Sequence, residues 1–116
     1  MKTLYYLKSC STCTKIIKAL NITNSFVFQD IKREKISAEA LDYLAEYVGS
    51  YEALFNRKAQ KFKSMDLKNR QLTEQDYRKL ILEEYTFLKR PVFLIDKTVF
   101  AGNSKAVIAA VKKHLE

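Results

Sequence analysis

The sequence predicts an α/β fold: a strand–helix–strand unit, then a helical block, then a strand–strand–helix unit. Three observations predict it. Short apolar runs of strand length occur near the two ends of the chain, at 2–7, 25–31, 92–95 and 98–101. Between and beside these runs, apolar residues recur at helical spacing. Only two glycines and one proline occur in 116 residues, too few for an all-β design built on tight turns.

The elements follow in order. Lys2 to Leu7 (KTLYYL) is short, aromatic-rich and apolar, as a buried strand is. The small polar run Ser9 to Thr12 precedes Ile16, Ile17, Ala19 and Leu20 at helical spacing, which predicts a helix from near Cys10 to near Asn21. Ser25 to Ile31 (SFVFQDI) reads as a second strand, reached by a crossover long enough for parallel pairing. From Ser37 the pattern turns helical. Leu41, Leu44 and Val48 share a face, with Ala40 and Tyr47 beside them, between Ser37 as N-cap and Gly49 as C-cap. Tyr51 to Phe55 fits a further helical turn. Thr73 with Asp76 forms a capping pattern ahead of the stripe Tyr77, Leu80 and Ile81.

Pro91 opens a second strand region. Val92 to Ile95 (VFLI) is followed by a turn at Asp96–Lys97 and a return strand, Thr98 to Ala101. After Gly102, Ala106 to Val111 forms a last apolar helix with Lys112 and Lys113 in its final turn, where cations suit the dipole. The expected product is one mixed four-stranded sheet. Its first three strands are expected to be parallel and the return strand antiparallel to the third. This βαβ–ββα order is the thioredoxin-like (glutaredoxin-like) plan with a helical insertion at about 37–84. The whole chain, 1–116, reads as a single domain.

Charge and composition narrow the function classes. The formal net charge is +8, from 21 Lys and Arg against 13 Asp and Glu. The lysines are scattered, and the densest stretch holds Arg57, Lys58, Lys61, Lys63, Lys68 and Arg70. A solvated basic face is the plainer reading of that stretch; an anion-attracting rim is the functional one. No recognition helix or stacking motif accompanies the charge, so direct nucleic-acid binding is not expected. No apolar run approaches the ~20 residues of a membrane helix. The opening segment Met1 to Leu7 is too short for the apolar region of a secretory signal. A cytoplasmic location, without membrane association, is therefore expected. In that reducing compartment, two cysteines spaced C-x-x-C point to catalysis or metal rather than to a structural staple.

The chemistry centres on Cys10-Ser11-Thr12-Cys13. A thiol attacks only as thiolate, and a helix N-terminus favours that form through its unpaired N–H groups and its dipole. The spacing places the second sulfur about one turn later, near enough to close a disulfide. Cys10 is the expected attacking thiol and Cys13 the resolving one. A zinc site would need four ligands, and the only histidine, His114, lies at the far end of the chain, so no metal is expected. Arg90 precedes Pro91, a position that lies beside the cysteine loop in a redox fold of this order, and the bond between them is a candidate cis peptide. A guanidinium there would hold down the Cys10 pKa and could grip an oxyanion with two N–H groups. Arg57, in Asn56-Arg57-Lys58, is the second candidate of this kind.

These residues carry a resemblance. LYYLKSCSTCTK, LFNRKAQKFKSMDL, LTEQDYRKLI and LKRPVFLIDKTVFAGNS together resemble the arsenate-reductase (ArsC) family, which includes the Spx regulators, over essentially the whole chain. The resemblance implies a first cysteine that attacks an oxidised substrate, with arginines around the bound oxyanion. Cys10 matches that cysteine, Arg57 the mid-chain arginine and Arg90 the one before proline. It makes Cys10, Cys13, Arg57 and Arg90 the expected catalytic residues, and Ser11, Thr12, Arg57, Arg90 and Pro91 the expected substrate-binding ones. Where the family has a third arginine, this chain reads Phe100-Ala101-Gly102-Asn103-Ser104-Lys105. Its cysteine loop reads Leu7-Lys8-Ser9-Cys10-Ser11-Thr12-Cys13 rather than H-N-P-x-C-G-x-S. Both departures point towards the Spx-like and uncharacterised branches, with weak oxyanion binding and poor arsenate reduction. The implied activity is that of a thiol–disulfide oxidoreductase acting on a small oxidised substrate or an oxyanion. It would bind no cofactor and would depend on an external thiol reductant, glutathione with glutaredoxin or thioredoxin, as redox partner. The alternative is an Spx-like redox switch that docks on RNA polymerase.

Overall fold

The structure is a computed structural model and describes residues 2–22 and 25–116. Met1, part of the opening segment Met1 to Leu7, lies outside the described residues. The elements are β1 (Lys2–Tyr6), α1 (Ser11–Ala19), β2 (Val27–Asp30), α2 (Ala38–Val48), α3 (Gln60–Ser64), α4 (Glu74–Glu83), β3 (Val92–Ile95), β4 (Thr98–Ala101) and α5 (Lys105–Leu115). Short 3₁₀ turns at Glu52–Leu54, Leu67–Asn69 and Tyr85–Phe87 punctuate the helical block. No helix among the described residues is long and apolar enough to cross a membrane.

The strands form one four-stranded sheet in the order β2-β1-β3-β4. β1 and β2 are parallel, and β3 and β4 antiparallel, as the sequence predicts. β3, however, runs antiparallel to β1, with Tyr5 opposite Val92 and Lys2 opposite Ile95. The expected parallel pairing of the first and third strands is thus corrected. A parallel partner would need a crossover returning the chain to the start of β1. Instead, β3 begins beside the end of β1, where the cysteine loop starts. Placing Arg90 next to Cys10 requires this direction, so two expectations drawn from the sequence were incompatible.

Both faces of the central strands are covered, which is why β1 and β3 are apolar without clear alternation. Leu4, Phe93 and Ile95 pack with Ile16 of α1 and Val111 of α5 on one face. Tyr5 and Val92 pack on the other face with Leu41 and Leu44 of α2, Ile81 of α4, and Phe55 and Phe87. The β2 edge is shorter than its apolar run suggests, whereas β4 spans Thr98–Ala101 as expected. Phe26, inside the predicted second strand, instead leaves the ladder to pack edge-on against Phe93. On β2 itself, Val27 and Phe28 are exposed. Tyr47, placed by the helical stripe beside the buried face of α2, is exposed, and its ring lies tilted at 52° to that of Tyr43 with centres 4.7 Å apart.

The caps hold as the sequence implies. Ser37 Oγ accepts from the Ala40 N–H at 3.1 Å, and Gly49 ends α2 with φ +114°, a conformation that side chains rarely adopt. At α4, Thr73 Oγ1 accepts from the Asp76 N–H at 3.2 Å, and Asp76 Oδ2 accepts from the Thr73 N–H at 2.9 Å, closing a capping box. Replacing Thr73 by Ala opens that box and should cost about 1 kcal/mol, read as a lower urea midpoint with an unchanged slope.

Candidate redox site

The site forms where β1 ends. Leu7 is buried, and its carbonyl accepts from the Cys10 N–H at 3.0 Å, which turns the chain sharply into α1. Cys10 stands at the N-cap, and its carbonyl accepts from the N–H and hydroxyl of Thr14 at 3.1 and 3.2 Å. Its thiol makes no oxygen-type cap hydrogen bond of the kind a serine would. The sulfur instead sits among the free N–H groups of the first turn.

The two thiols lie in different environments. Cys10 is partly exposed, whereas Cys13 is fully buried. Burial pushes the Cys10 thiol up. The Cys13 N–H and thiol, the Thr12 N–H and the Arg90 charge together outweigh it and hold Cys10 below the ordinary thiol value. At Cys13, burial is the largest influence, and the Cys10 charge and hydrogen bond add to it. Its pKa is pushed up to about 11, although the Leu7 backbone and Arg90 act the other way. One thiol is therefore poised to ionise while its neighbour keeps its proton and donates to it.

Arg90 enters from the start of β3. Its Nη1 donates to the Thr86 carbonyl at 3.3 Å, and the Arg90–Pro91 peptide bond is cis. Its buried Nε has no hydrogen-bond partner among the described residues. The charge reaches both sulfurs. Arg57 opens on the same cavity but is tied down elsewhere. Its Nη2 donates to Glu52 Oε2 at 2.8 Å and to the Tyr77 hydroxyl at 2.7 Å, and its guanidinium lies 5.6 Å from the Tyr77 ring centre. Glu52 is held in turn by Glu74, whose carboxylate accepts from the Tyr51 and Glu52 N–H groups at 2.7 and 3.2 Å.

A cavity of about 610 Å³ joins Cys10, Thr12, Arg57 and Arg90. Ser11 is exposed at the start of α1 and Pro91 is buried, and neither lines that cavity. The opposite wall comes from Gly102, Asn103 and Ser104. Gly102 has φ +104°, and its N–H donates to the Pro91 carbonyl at 2.9 Å, which brings this loop across the start of β3. Asn103 Nδ2 donates to the Arg90 carbonyl at 3.4 Å. Lys58 and Lys89 line the cavity as well. In the sequence Lys58 lies in the basic stretch and Lys89 only in the run before Pro91, and neither carries a local signal that assigns it to the site. The bridge that brings them together, Phe55 to Leu88, is a long-range pairing without a local sequence signal. Among the described residues, no cluster of His, Cys, Asp and Glu could hold a metal ion.

Several solved structures are similar to this chain. An arsenate reductase (ArsC) related protein from Brucella melitensis is 29% identical, with 94% of this chain and 92% of that one covered and a TM-score of 0.70. An ArsC-family-related protein from Bacteroides fragilis is 21% identical, with 95% and 96% covered and a TM-score of 0.80. An arsenate reductase from Vibrio cholerae is 16% identical, with 96% and 95% covered and a TM-score of 0.75. These last two share the fold. No curated protein matches the sequence. Residues 5–111 match the ArsC family, a span that runs from β1 through Cys10, Cys13, Arg57 and Arg90 into α5. The chain therefore belongs to the ArsC family, a family of thiol-based oxidoreductases.

Proposed function

We propose that the protein is a thiol–disulfide oxidoreductase in which Cys10 is the nucleophile and Cys13 the resolving thiol. The observation that carries this reading is the asymmetry of the pair. Cys10 is partly exposed on a cationic cavity with its pKa lowered, and Cys13 is buried behind it with its pKa raised. The Cys10 thiolate attacks one sulfur of a substrate disulfide. That S–S bond breaks, and the departing sulfur takes a proton from solvent. Cys10 is then neutral in the mixed disulfide, so its charge no longer opposes ionisation of Cys13. Cys13 loses its proton and attacks the Cys10 sulfur, and the second substrate thiol leaves. Two electrons have passed from the Cys10–Cys13 pair to the substrate. An external thiol reductant, glutathione with glutaredoxin or thioredoxin, returns the pair to the dithiol. No bound cofactor takes part.

Arg90 supports the thiolate in this scheme, and Thr12 and Cys13 supply helix-start N–H groups to the reacting sulfur. Arg57, paired with Glu52, contributes less to an oxyanion site than a free guanidinium would, which favours disulfides over arsenate. Steady-state assays with arsenate and with a model disulfide, each with both reducing systems, test the reading. Disulfide turnover that needs Cys10 is expected, and efficient arsenate turnover would contradict the preference.

The pH profile gives a sharper check. Iodoacetamide labelling of Cys10 should rise with pH through a midpoint below that of an ordinary thiol, because only the thiolate reacts. Arg90→Ala removes a nearby positive charge that favours that thiolate. The midpoint should then move up and labelling at neutral pH should slow. An unchanged midpoint would remove Arg90 from this role.

A further inference from the structure

The cavity in front of Cys10 is larger than a tetrahedral oxyanion requires. Its volume of about 610 Å³ lies within the roughly 300–1,000 Å³ of sites that hold substantial organic ligands. Its charged lining residues are Arg57, Lys58, Lys89 and Arg90, and no described lining residue is acidic. These cations differ in what they are free to do. Arg57 is engaged by Glu52 and Tyr77. Arg90 lines the cavity with Cys10, and its charge favours ionisation of both cysteines. Among the described residues, neither Lys58 nor Lys89 pairs with a carboxylate.

The position of the two lysines is built into the fold. The Lys89 N–H donates to the Leu54 carbonyl at 2.8 Å, and the Asn56 N–H to the Phe87 carbonyl at 2.7 Å. With the Phe55–Leu88 bridge, these bonds run the two segments antiparallel and set both lysines on one cavity. Ala101 and Val107, both partly exposed, add apolar surface to the same walls. An apolar trough with unpaired ammonium groups and a nucleophilic sulfur suits an extended ligand with carboxylates near its reacting bond.

We propose that the disulfide reduced at Cys10 belongs to an acidic peptide segment, whose carboxylates pair with Lys58 and Lys89. The inference rests on the reading of Cys10 as a disulfide-attacking thiol. Exposed ion pairs are individually weak, so the expected preference for acidic over basic peptides is about tenfold at low salt and shrinks as salt rises.

The test uses pre-reduced full-length protein and three synthetic peptides of equal length. Each peptide carries one disulfide, flanked by glutamates, serines or lysines. The rate constant for peptide thiol release should rank glutamate above serine above lysine. In Lys58→Glu with Lys89→Glu, the order should reverse, while Cys10 labelling by uncharged iodoacetamide, measured at a pH above its midpoint so that the thiolate is formed in both proteins, remains and reports an intact fold and nucleophile. Equal rates for the three peptides, or an order unchanged by charge reversal, would overturn the acidic-peptide inference and leave the Cys10 reading standing. Failure of every peptide to react would overturn the Cys10 reading, and the inference with it.

Discussion

Cys10→Ser is expected to reduce disulfide turnover to the background rate, whereas Cys13→Ser is expected to stop the reaction after its first half. The difference follows from the two environments. Serine at position 10 keeps the N-cap and the loop, but a hydroxyl does not ionise at the start of a helix as a thiol does. The residue is partly exposed, so little stability is lost. Serine at position 13 leaves the attacking thiolate in place. One equivalent of substrate thiol should be released, and the rest of the substrate should stay attached to Cys10 as a mixed disulfide visible by intact mass. Cys13 is fully buried, so its replacement also sets a hydroxyl among apolar neighbours and costs about 1–3 kcal/mol if unpaired. Thermal unfolding therefore belongs beside the kinetics. A Cys10→Ser protein that still turns over disulfides would end the proposed mechanism.

Phe55→Ala is expected to be the most destabilising of the changes considered, by about 3–5 kcal/mol, or about 12–20 °C in the unfolding midpoint of a chain this size. Phe55 is 1% exposed. Its ring stacks on Phe87 at 5.0 Å and meets Tyr77 at 4.9 Å and Phe62 at 6.1 Å. It therefore joins the segment carrying Arg57 and Lys58 to the segment that leads into Arg90. Truncation would leave a cavity under the site and loosen the bridge to Leu88. Calorimetry should register the loss of stability. Phe55→Leu, which keeps most of the volume, should lose distinctly less. A midpoint for Phe55→Ala within a few degrees of the parent would show that the aromatic cluster does not hold the helical block to the sheet.

Local chemistry was legible in the sequence. Cys10 and Cys13 at a helix start, Ser37 and Gly49 as caps, the Thr73–Asp76 box and both strands after Pro91 appear where short-range patterns place them, because each depends on neighbours a few residues away. The family and the strand–helix order were legible for the same reason. Three other features were not. The direction of β3 depends on where a block of some fifty residues delivers the chain, and periodicity within VFLI is the same either way. Phe26 has the composition of a strand residue, and only its packing against Phe93 takes it out of the ladder. Arg57 reads as a free cation in Asn56-Arg57-Lys58, and only the approach of Glu52 and Tyr77 ties it down.

The sequence by itself determined that this chain has an α/β plan, a redox-type cysteine pair at the first helix, and an arginine before its single proline. Only the tertiary structure decided how the charges around that pair are distributed. It gave Cys13 its burial, brought the Arg90 charge within range of both thiols, engaged Arg57, and brought Lys58 and Lys89 to one cavity. Burial and charge act through space, and Lys58 and Arg90 reach the cavity in front of Cys10, and Cys13 is buried, only when the sheet and the helical block close on each other.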